Sequence, residues 1–392
     1  MSETGSSPLM QFSNKPKAVM VSGRGSWLWD EQGRSYLDFV QGWAVNSLGH
    51  SPGVVQRALQ EQAALLINAS PGYHNMPSHR FARELTKAAG MDRAFLCSTG
   101  AEANEGAIKL ARKWGGLHKN GAFEIITLQG SFHGRTLATM AASAKPNFAE
   151  RFPPITPGFV HVPHGDLAAI EKAITPRTVA VMLEPIQGEA GVVTLPAGFL
   201  RALRELTTSH NMLLIADEIQ TGMGRTGRLF ACEHESVTPD IMTVAKGIGA
   251  GVPLAALLAR AAVSCFAAGD QGGTYTAHPL MCAVGSAVLH TIDQPAFLEH
   301  VTRMGAHLRK GLGELSQRYS LGSVSGAGLL LALSMPQPIA AEVTDAAFDR
   351  GLLINAARPD RLRFMPALNI TLDEIDRMLT VLDSALGCTL RK

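Results

Sequence analysis

A lysine, two carboxylates and two arginines stand at the places where this chain is best able to do chemistry. The stretch Asp240-Ile241-Met242-Thr243-Val244-Ala245-Lys246-Gly247-Ile248-Gly249 runs apolar and then breaks into glycines. That pattern reads as a buried strand ending in a loop, with Lys246 at the junction. A lysine there is either a snorkelling end residue or a nucleophilic amine whose charge is suppressed by burial or by a covalent bond. Asp217 closes the run Met212-Leu213-Leu214-Ile215-Ala216. A carboxylate at the end of a buried strand is costly unless it meets a cation, either an arginine or a protonated ring nitrogen.

A third position offers anion binding. In Leu96-Cys97-Ser98-Thr99-Gly100-Ala101-Glu102-Ala103-Asn104 a strand ends in small hydroxyl residues, and a helix-forming sequence starts at once. The free N–H groups of such a helix start suit a phosphate, although Ser98 or Thr99 would equally serve as an ordinary N-cap. It is not a Walker A loop, since no Gly-Lys-Ser/Thr follows. A Schiff-base lysine, a carboxylate facing a pyridinium nitrogen and a phosphate site are the requirements of pyridoxal phosphate. Gly222-Met223-Gly224-Arg225-Thr226-Gly227 matches the GxGxxG dinucleotide pattern, but Asp217 to Thr221 separate it from the strand and Asp240 precedes the next one. This is a weak match. His161 and His164 lie in a Pro-rich loop and no HExxH helix exists, so no metal site is expected.

The elements that must position these residues follow from the apolar pattern. Strands are expected at Ala94–Cys97, Phe123–Leu128, Val179–Leu183, Met212–Ala216 and Ile241–Ala245, joined by helix-length segments. This alternation predicts an α/β fold with a largely parallel sheet, whose functional groups gather past the carboxyl ends of the strands. Those ends read Ser98-Thr99-Gly100, Phe132-His133-Gly134-Arg135, Glu184 to Glu189, Asp217-Glu218-Ile219-Gln220 and Lys246. Val19 to Phe39 suggests a hairpin-rich N-terminal piece, and Gln41 to His50 a loop carrying Trp43. Helices are expected over Gly53 to Ile67 and over Ser78 to Ala89, the latter capped by Ser78. A long helical region from Leu280 to about Arg318, strands near Val324–Leu333 and Arg363–Met365, and a last helix opened by Thr371-Leu372-Asp373-Glu374 complete the chain.

Bulk composition narrows the classes. The 392 residues are 46% hydrophobic and 17% charged, enough for a large core, and the net charge is only +2 without runs of one sign. Neither a nucleic-acid surface nor a polybasic membrane anchor is indicated. The five cysteines are scattered and form no CxxC pair, so a reducing cytoplasm is expected. Met1 to Lys17 lacks an apolar signal-peptide core, and Val252 to Ala268 reads as protein core, with no transmembrane helix expected.

Together the stretches Ser98 to Asn104, Phe132 to Arg135, Glu184-Pro185-Ile186-Gln187-Gly188-Glu189, Asp217-Glu218-Ile219-Gln220-Thr221-Gly222, Lys246-Gly247 and Gly273-Thr274-Tyr275 resemble the class III (subgroup III) aminotransferases. The resemblance runs from Trp29-Asp30 to Arg363-Phe364-Met365-Pro366 and is greatest to the branch acting on N2-acetylornithine. It implies the aspartate-aminotransferase fold (type I): a large domain over 56–285 with a seven-stranded type of sheet, and a smaller α+β domain from 1–55 and 286–392. It implies that Lys246 carries pyridoxal 5'-phosphate and shuttles the proton, while Asp217 pairs with the pyridinium. Thr99, Gly100 and Ala101 would bind the phosphate, and Thr274 the phosphate of a neighbouring subunit, in a homodimer with shared sites. Phe132 and Ile219 would flank the ring, His133 would belong to the cofactor site, and Gln220 would reach the phenolic oxygen.

For the substrates, amino donors and 2-oxo acids, the resemblance assigns Arg135 to a distal carboxylate and Arg363 to the glutamate α-carboxylate. Glu189 would mask Arg363 when an ω-amine, uncharged at that end, is bound; a permanent Arg–Glu salt bridge is the alternative. Ala101 and Gly273 depart from the family's usual Thr and Ser. Trp43 stands where free-ornithine enzymes carry a tyrosine; an indole donates one hydrogen bond and accepts none, which suits an acyl chain better than an ammonium. Tyr73 is a second expected wall. Succinylornithine, ornithine or 4-aminobutyrate transamination and, more distantly, a pyridoxal-phosphate aminomutase are the alternatives.

Overall fold

The strand segments named above assemble into one sheet of seven strands in the computed structural model, which describes Met10 and residues 18–390, with side chains at 146, 147 and 149 left out. The expectation for Met1 to Lys17 therefore lies outside the described residues apart from Met10. The strands run in the order Arg93–Cys97, Ala255–Ala259, Ile241–Val244, Leu213–Asp217, Thr178–Leu183, Glu124–Leu128 and Phe159–Val162. The last five pair in parallel. Thr178–Leu183 and Leu213–Asp217 are buried at every position, which is why their sequence shows a continuous apolar run rather than alternation.

Two of these strands went unread. Ala255–Ala259 lies antiparallel to both of its neighbours. The ten residues between Val244 and Ala255 are too few for a crossover, so the chain can only turn back. Its Ala-Ala-Leu-Leu-Ala composition carries no β signal, and burial between two strands decides its state. Phe159–Val162 is an edge strand too short to stand out beside its prolines.

The remaining elements stack around this sheet. Met20–Arg24, Trp27–Asp30 and Ser35–Asp38 form antiparallel neighbours, and Leu352–Leu353 joins them in parallel, placing Leu352 opposite Leu37. A four-stranded sheet orders Val324–Ala327, Leu330–Ser334, Arg361–Phe364 and Asn355–Arg358. The long helical region after Leu280 is two helices, Pro279–Ile292 and Pro295–Tyr319. Proline at 295 disfavours helical geometry in the residue before it, so the first helix stops. The helix at Met76–Ala89 starts earlier than expected: Asn75, not Ser78, is its cap, accepting from the Ser78 N–H at 2.9 Å. The last helix, Leu372–Thr389, has the expected capping box between Thr371 and Glu374. Ala340–Asp349 is a further helix that the sequence did not announce. Among the described residues no helix is long and apolar enough to cross a membrane.

Candidate active site

The carboxyl ends of the strands open into a cavity of about 510 Å³, lined among others by Lys246, Asp217, Gly100, Phe132, Gln220 and Glu189. Thr99, Ala101, His133, Arg135 and Ile219 also face it. Lys246 sits just past Ile241–Val244 with φ +47°, a left-handed conformation that a non-glycine residue adopts only under surrounding constraint. Ser47 supplies part of that constraint, donating its hydroxyl to the Gly247 carbonyl at 2.8 Å. Burial lowers the Lys246 ammonium below the ordinary lysine range, against the opposing pull of the Glu189 charge. Its amine is thereby easier to hold neutral and nucleophilic.

Asp217 is almost completely buried and held from three sides. Its Oδ2 accepts from Asn104 Nδ2 and from His133 Nδ1, each at 2.8 Å, and its Oδ1 from the Ile219 N–H at 3.1 Å. Asn104 is itself fixed, because its Oδ1 accepts the Thr243 hydroxyl at 2.7 Å and its Nδ2 also donates to the His133 carbonyl at 2.7 Å. Burial alone would depress His133, yet the bond and charge of Asp217 outweigh it and the imidazole is net raised. Beside it, burial pushes the Glu184 carboxyl up to about 7, against the lowering charge of His133, while its Oε1 accepts the Phe132 N–H at 2.8 Å.

At the helix start Gly100–His118, Thr99 is a cap whose hydroxyl oxygen accepts the Glu102 N–H at 3.2 Å. Glu102 in turn accepts the N–H groups of Ser98 at 3.1 Å and Thr99 at 2.8 Å. The first-turn N–H groups of Gly100 and Ala101 have no intrahelical carbonyl to meet and border the cavity. A Cβ on Gly100 would lie 2.8 Å from Ile219 Cδ1, so glycine there lets that side chain close the wall.

The opposite wall comes from the C-terminal sheet. Arg363, only 1% exposed, donates to Glu189 Oε1 at 2.7 Å, and its Nε and second terminal nitrogen both donate to Asn355 Oδ1, at 3.0 and 2.8 Å. Asn355 and Arg363 sit opposite one another in the strand register. Burial would raise Glu189, but Arg363 above all, with Lys246 and Lys145, holds it below the ordinary range. Gln220 turns its Oε1 toward Arg363 at 3.5 Å, leaving its Nε2 buried with no partner.

Trp43, Tyr73 and Thr274 do not line the cavity of the single chain; Trp43 is 51% and Tyr73 75% exposed. Asn104, Thr243, Glu184 and Asn355 belong to the site but were not singled out. Asn104 lies on the helix whose start was read as an anion site, and helical spacing from Gly100 was the available signal. The GxGxxG-like turn proves structural: Arg225, fully buried, donates to the Leu329 and Pro366 carbonyls at 3.1 and 2.5 Å.

The donor set fits pyridoxal phosphate. A buried carboxylate, an unpartnered amide donor at Gln220, two free N–H groups and a lysine with lowered basicity surround one cavity. These are the groups that a pyridinium, a phenolate oxygen, a phosphate and an aldehyde require.

Fold and site together define a fold-type-I aminotransferase, and the chain belongs to the aminotransferase class-III family, whose model matches residues 10–386. Among named relatives it is 52% identical to acetylornithine aminotransferase 2 of Bordetella pertussis, with 97% of this chain and 96% of that one covered. It is also 52% identical to acetylornithine aminotransferase of Ralstonia nicotianae, over 96% of each chain. The structure matches N-acetylornithine aminotransferase of Stenotrophomonas maltophilia with TM-score 0.85 at 37% identity, covering 96% and 97%. It matches ornithine aminotransferase of Toxoplasma gondii with TM-score 0.92 at 33% identity, covering 97% and 93%, in a crystal structure with pyridoxal phosphate at partial occupancy in the active site.

Proposed function

We propose that the chain is a pyridoxal-phosphate-dependent ω-aminotransferase. It exchanges the amine of N2-acetyl-L-ornithine with 2-oxoglutarate, giving N-acetyl-L-glutamate 5-semialdehyde and L-glutamate in arginine biosynthesis. The observation that carries this is the Arg363–Glu189 pair at 2.7 Å on the wall of the cavity that also holds Lys246 and Asp217. The names of the relatives give the same direction.

When bound, pyridoxal phosphate supplies an electron-accepting ring next to the reacting carbon. Lys246 would hold the cofactor's aldehyde and, when its amine is free, would carry the proton between the two ends of the transfer. Asp217 would pair with the ring nitrogen, its carboxylate oriented by His133 and Asn104. The Gly100 and Ala101 N–H groups and the Thr99 hydroxyl would hold the phosphate, the backbone donors compensating for the methyl of Ala101. Phe132 and Ile219 would cover the ring faces, and the Gln220 Nε2, which has no partner among the described residues, would donate to the phenolic oxygen.

Arg135 anchors the substrate carboxylate far from the reacting amine, with Trp43 and Tyr73 closing on the acyl end. Arg363 binds the α-carboxylate of glutamate. For the ω-amine, Glu189 stays on Arg363, since an uncovered buried guanidinium would be left without a counter-charge. A homodimer completes the site through Thr274. Its support is the exposure of Leu65, Leu66, Ile67, Tyr73, Met76 and Tyr275, large apolar side chains of the kind that association covers. The division into 56–285 and a second domain from both chain ends is supported by the Leu352–Leu37 pairing. This reading keeps the enzyme in the cytoplasm, in line with its free cysteines.

The test is a half-reaction screen. Cofactor-loaded enzyme is mixed in turn with N2-acetylornithine, N2-succinylornithine, ornithine, 4-aminobutyrate and glutamate, and loss of the covalent cofactor's absorbance is followed. Fast conversion by N2-acetylornithine and glutamate supports the assignment. Conversion by ornithine faster than by its acetylated form would overturn the choice of substrate.

A further inference from the structure

A Glu189 carboxylate that leaves Arg363 needs another counter-charge, because a carboxylate moved within a partly enclosed site pays a desolvation penalty unless a cation meets it. Glu189 forms part of the wall of two cavities. One is the Lys246 cavity; the other, of about 810 Å³, is lined by Gly130, Ser143, Lys145, His161 and Arg358 in addition to Glu189 itself. Lys145 is half-buried there, with its Nζ 4.7 Å from the centroid of the Phe132 ring. Among the described residues no hydrogen bond or ion pair reaches that ammonium, whereas Lys109, Lys113 and Lys119 are each bonded.

The ring of Phe132 keeps the Lys145 ammonium beside the site without saturating it, since a π face leaves the N–H donors free. Burial lowers the Lys145 ammonium, and the Glu189 carboxylate is the strongest influence against that lowering. Lys145 reciprocally helps to hold Glu189 ionised. Arg358, exposed on the rim of the same cavity, adds positive charge there. The cavity thus has room, a cation without a bonded partner, and a shared wall with the carboxylate that must move.

We propose that Lys145 receives the Glu189 carboxylate when it releases Arg363, and so positions Glu189 for the half-reaction in which an α-carboxylate occupies Arg363. This rests on the switching role given to Glu189 above. Lys145 acts through Glu189 and is a positioning residue. Its effect belongs to one half-reaction: the glutamate half needs the released position, and the ω-amine half does not.

The test uses the full-length, cofactor-loaded enzyme and single-turnover traces with glutamate and with N2-acetylornithine. Lys145→Gln should raise the glutamate concentration for half-maximal rate about tenfold, equivalent to ~1.4 kcal/mol, while leaving the N2-acetylornithine trace within about twofold. Lys145→Arg should restore most of the glutamate response. In a Glu189→Gln background, Lys145→Gln should add nothing. The cofactor absorbance and denaturation midpoint of each variant verify folding. Equal losses in both half-reactions, or a glutamate defect that persists without the Glu189 charge, would overturn the proposal; the latter would make Lys145 a direct contact for substrate. Glu189→Gln alone separates the two levels. Equal effects on both halves would remove the switch and Lys145's role with it, whereas an asymmetric Glu189→Gln beside a silent Lys145→Gln would remove Lys145 only.

Discussion

The two ends of the active site are built on opposite plans. Around Asp217, two of the partners are themselves held: Asn104 by the Thr243 hydroxyl, and the His133 backbone by Ser143, whose hydroxyl accepts the His133 main-chain N–H at 2.8 Å. Asn104 comes from the helix Gly100–His118 and Thr243 from the strand Ile241–Val244, while His133 and Ser143 flank the short helix Leu137–Ala142. Around Arg363, by contrast, the guanidinium is buried and held by Asn355, but its charge partner Glu189 keeps 27% of its side chain exposed and borders open space on two sides. A ring nitrogen that must stay protonated through the whole cycle calls for the first plan. A wall that must be cationic for one substrate and neutral for the other calls for the second. Rigidity and mobility are thus allotted within one cavity by how many partners hold each carboxylate: three at Asp217, and Arg363 at Glu189.

Breaking the rigid end should damage both half-reactions alike, and breaking the movable end should split them. The largest effect is Lys246→Ala, which should abolish turnover and the absorbance of covalently held cofactor; an unchanged spectrum would remove Lys246 from its role. Asp217→Ala should lower the rate of both halves by about 10²–10³-fold, the usual scale for a lost preorganised charge, and weaken cofactor retention on gel filtration. A loss confined to one half would contradict the plan proposed for this end.

At the other end, Arg363→Ala should cost mainly the glutamate half, while Glu189→Gln should impair the ω-amine half more, because the buried arginine is then left without its counter-charge. Breaking a buried pair of this kind has a typical scale of about 3–5 kcal/mol, reduced here by the exposure of Glu189. Equal losses in stopped-flow traces would mark the pair as permanent.

Gly188→Ala sharpens the boundary between the two plans. A Cβ there would fall 1.6 Å from Gln220 Oε1, so the amide must move, at the ~1–3 kcal/mol common for overpacking. Cofactor affinity measured by reconstitution should fall, with both halves slowed together.

The smallest effect is a pH dependence. The Glu184 carboxyl, ordinarily near 4.5, is raised to about 7 in the fold. Between these values the folded chain holds a proton that the unfolded chain has released. Its contribution to stability is therefore fully present below the lower value and declines as pH rises toward the upper one. Denaturation midpoints of the cofactor-free protein at pH 5 and pH 7 should show this decline, and Glu184→Gln should flatten it.

Lys246, Asp217 and the helix start at Gly100 were legible because a parallel sheet places strand ends at one edge, and short apolar runs mark those ends in sequence. The Arg363–Glu189 pair was named from resemblance and not from spacing, since 174 positions separate its members. Thr243 and Asn355 stayed hidden, and Asn104 and Glu184 were quoted without a role, for the same physical reason: a polar residue does not reveal which distant group satisfies it.

The sequence by itself determined the alternation of strand and helix, hence the class of fold and the edge at which chemistry collects. It also placed Lys246 and Asp217 at that edge, each with a structural reading open beside the chemical one, and the resemblance of the assembled stretches chose between them. Only the tertiary structure decided the reversed strand Ala255–Ala259, whose short connection and burial between neighbours overrode its composition. Tertiary structure likewise decided which carboxylate was pinned and which was left free to move. Those outcomes depend on contacts between segments far apart in the chain, and local propensity carries no record of them.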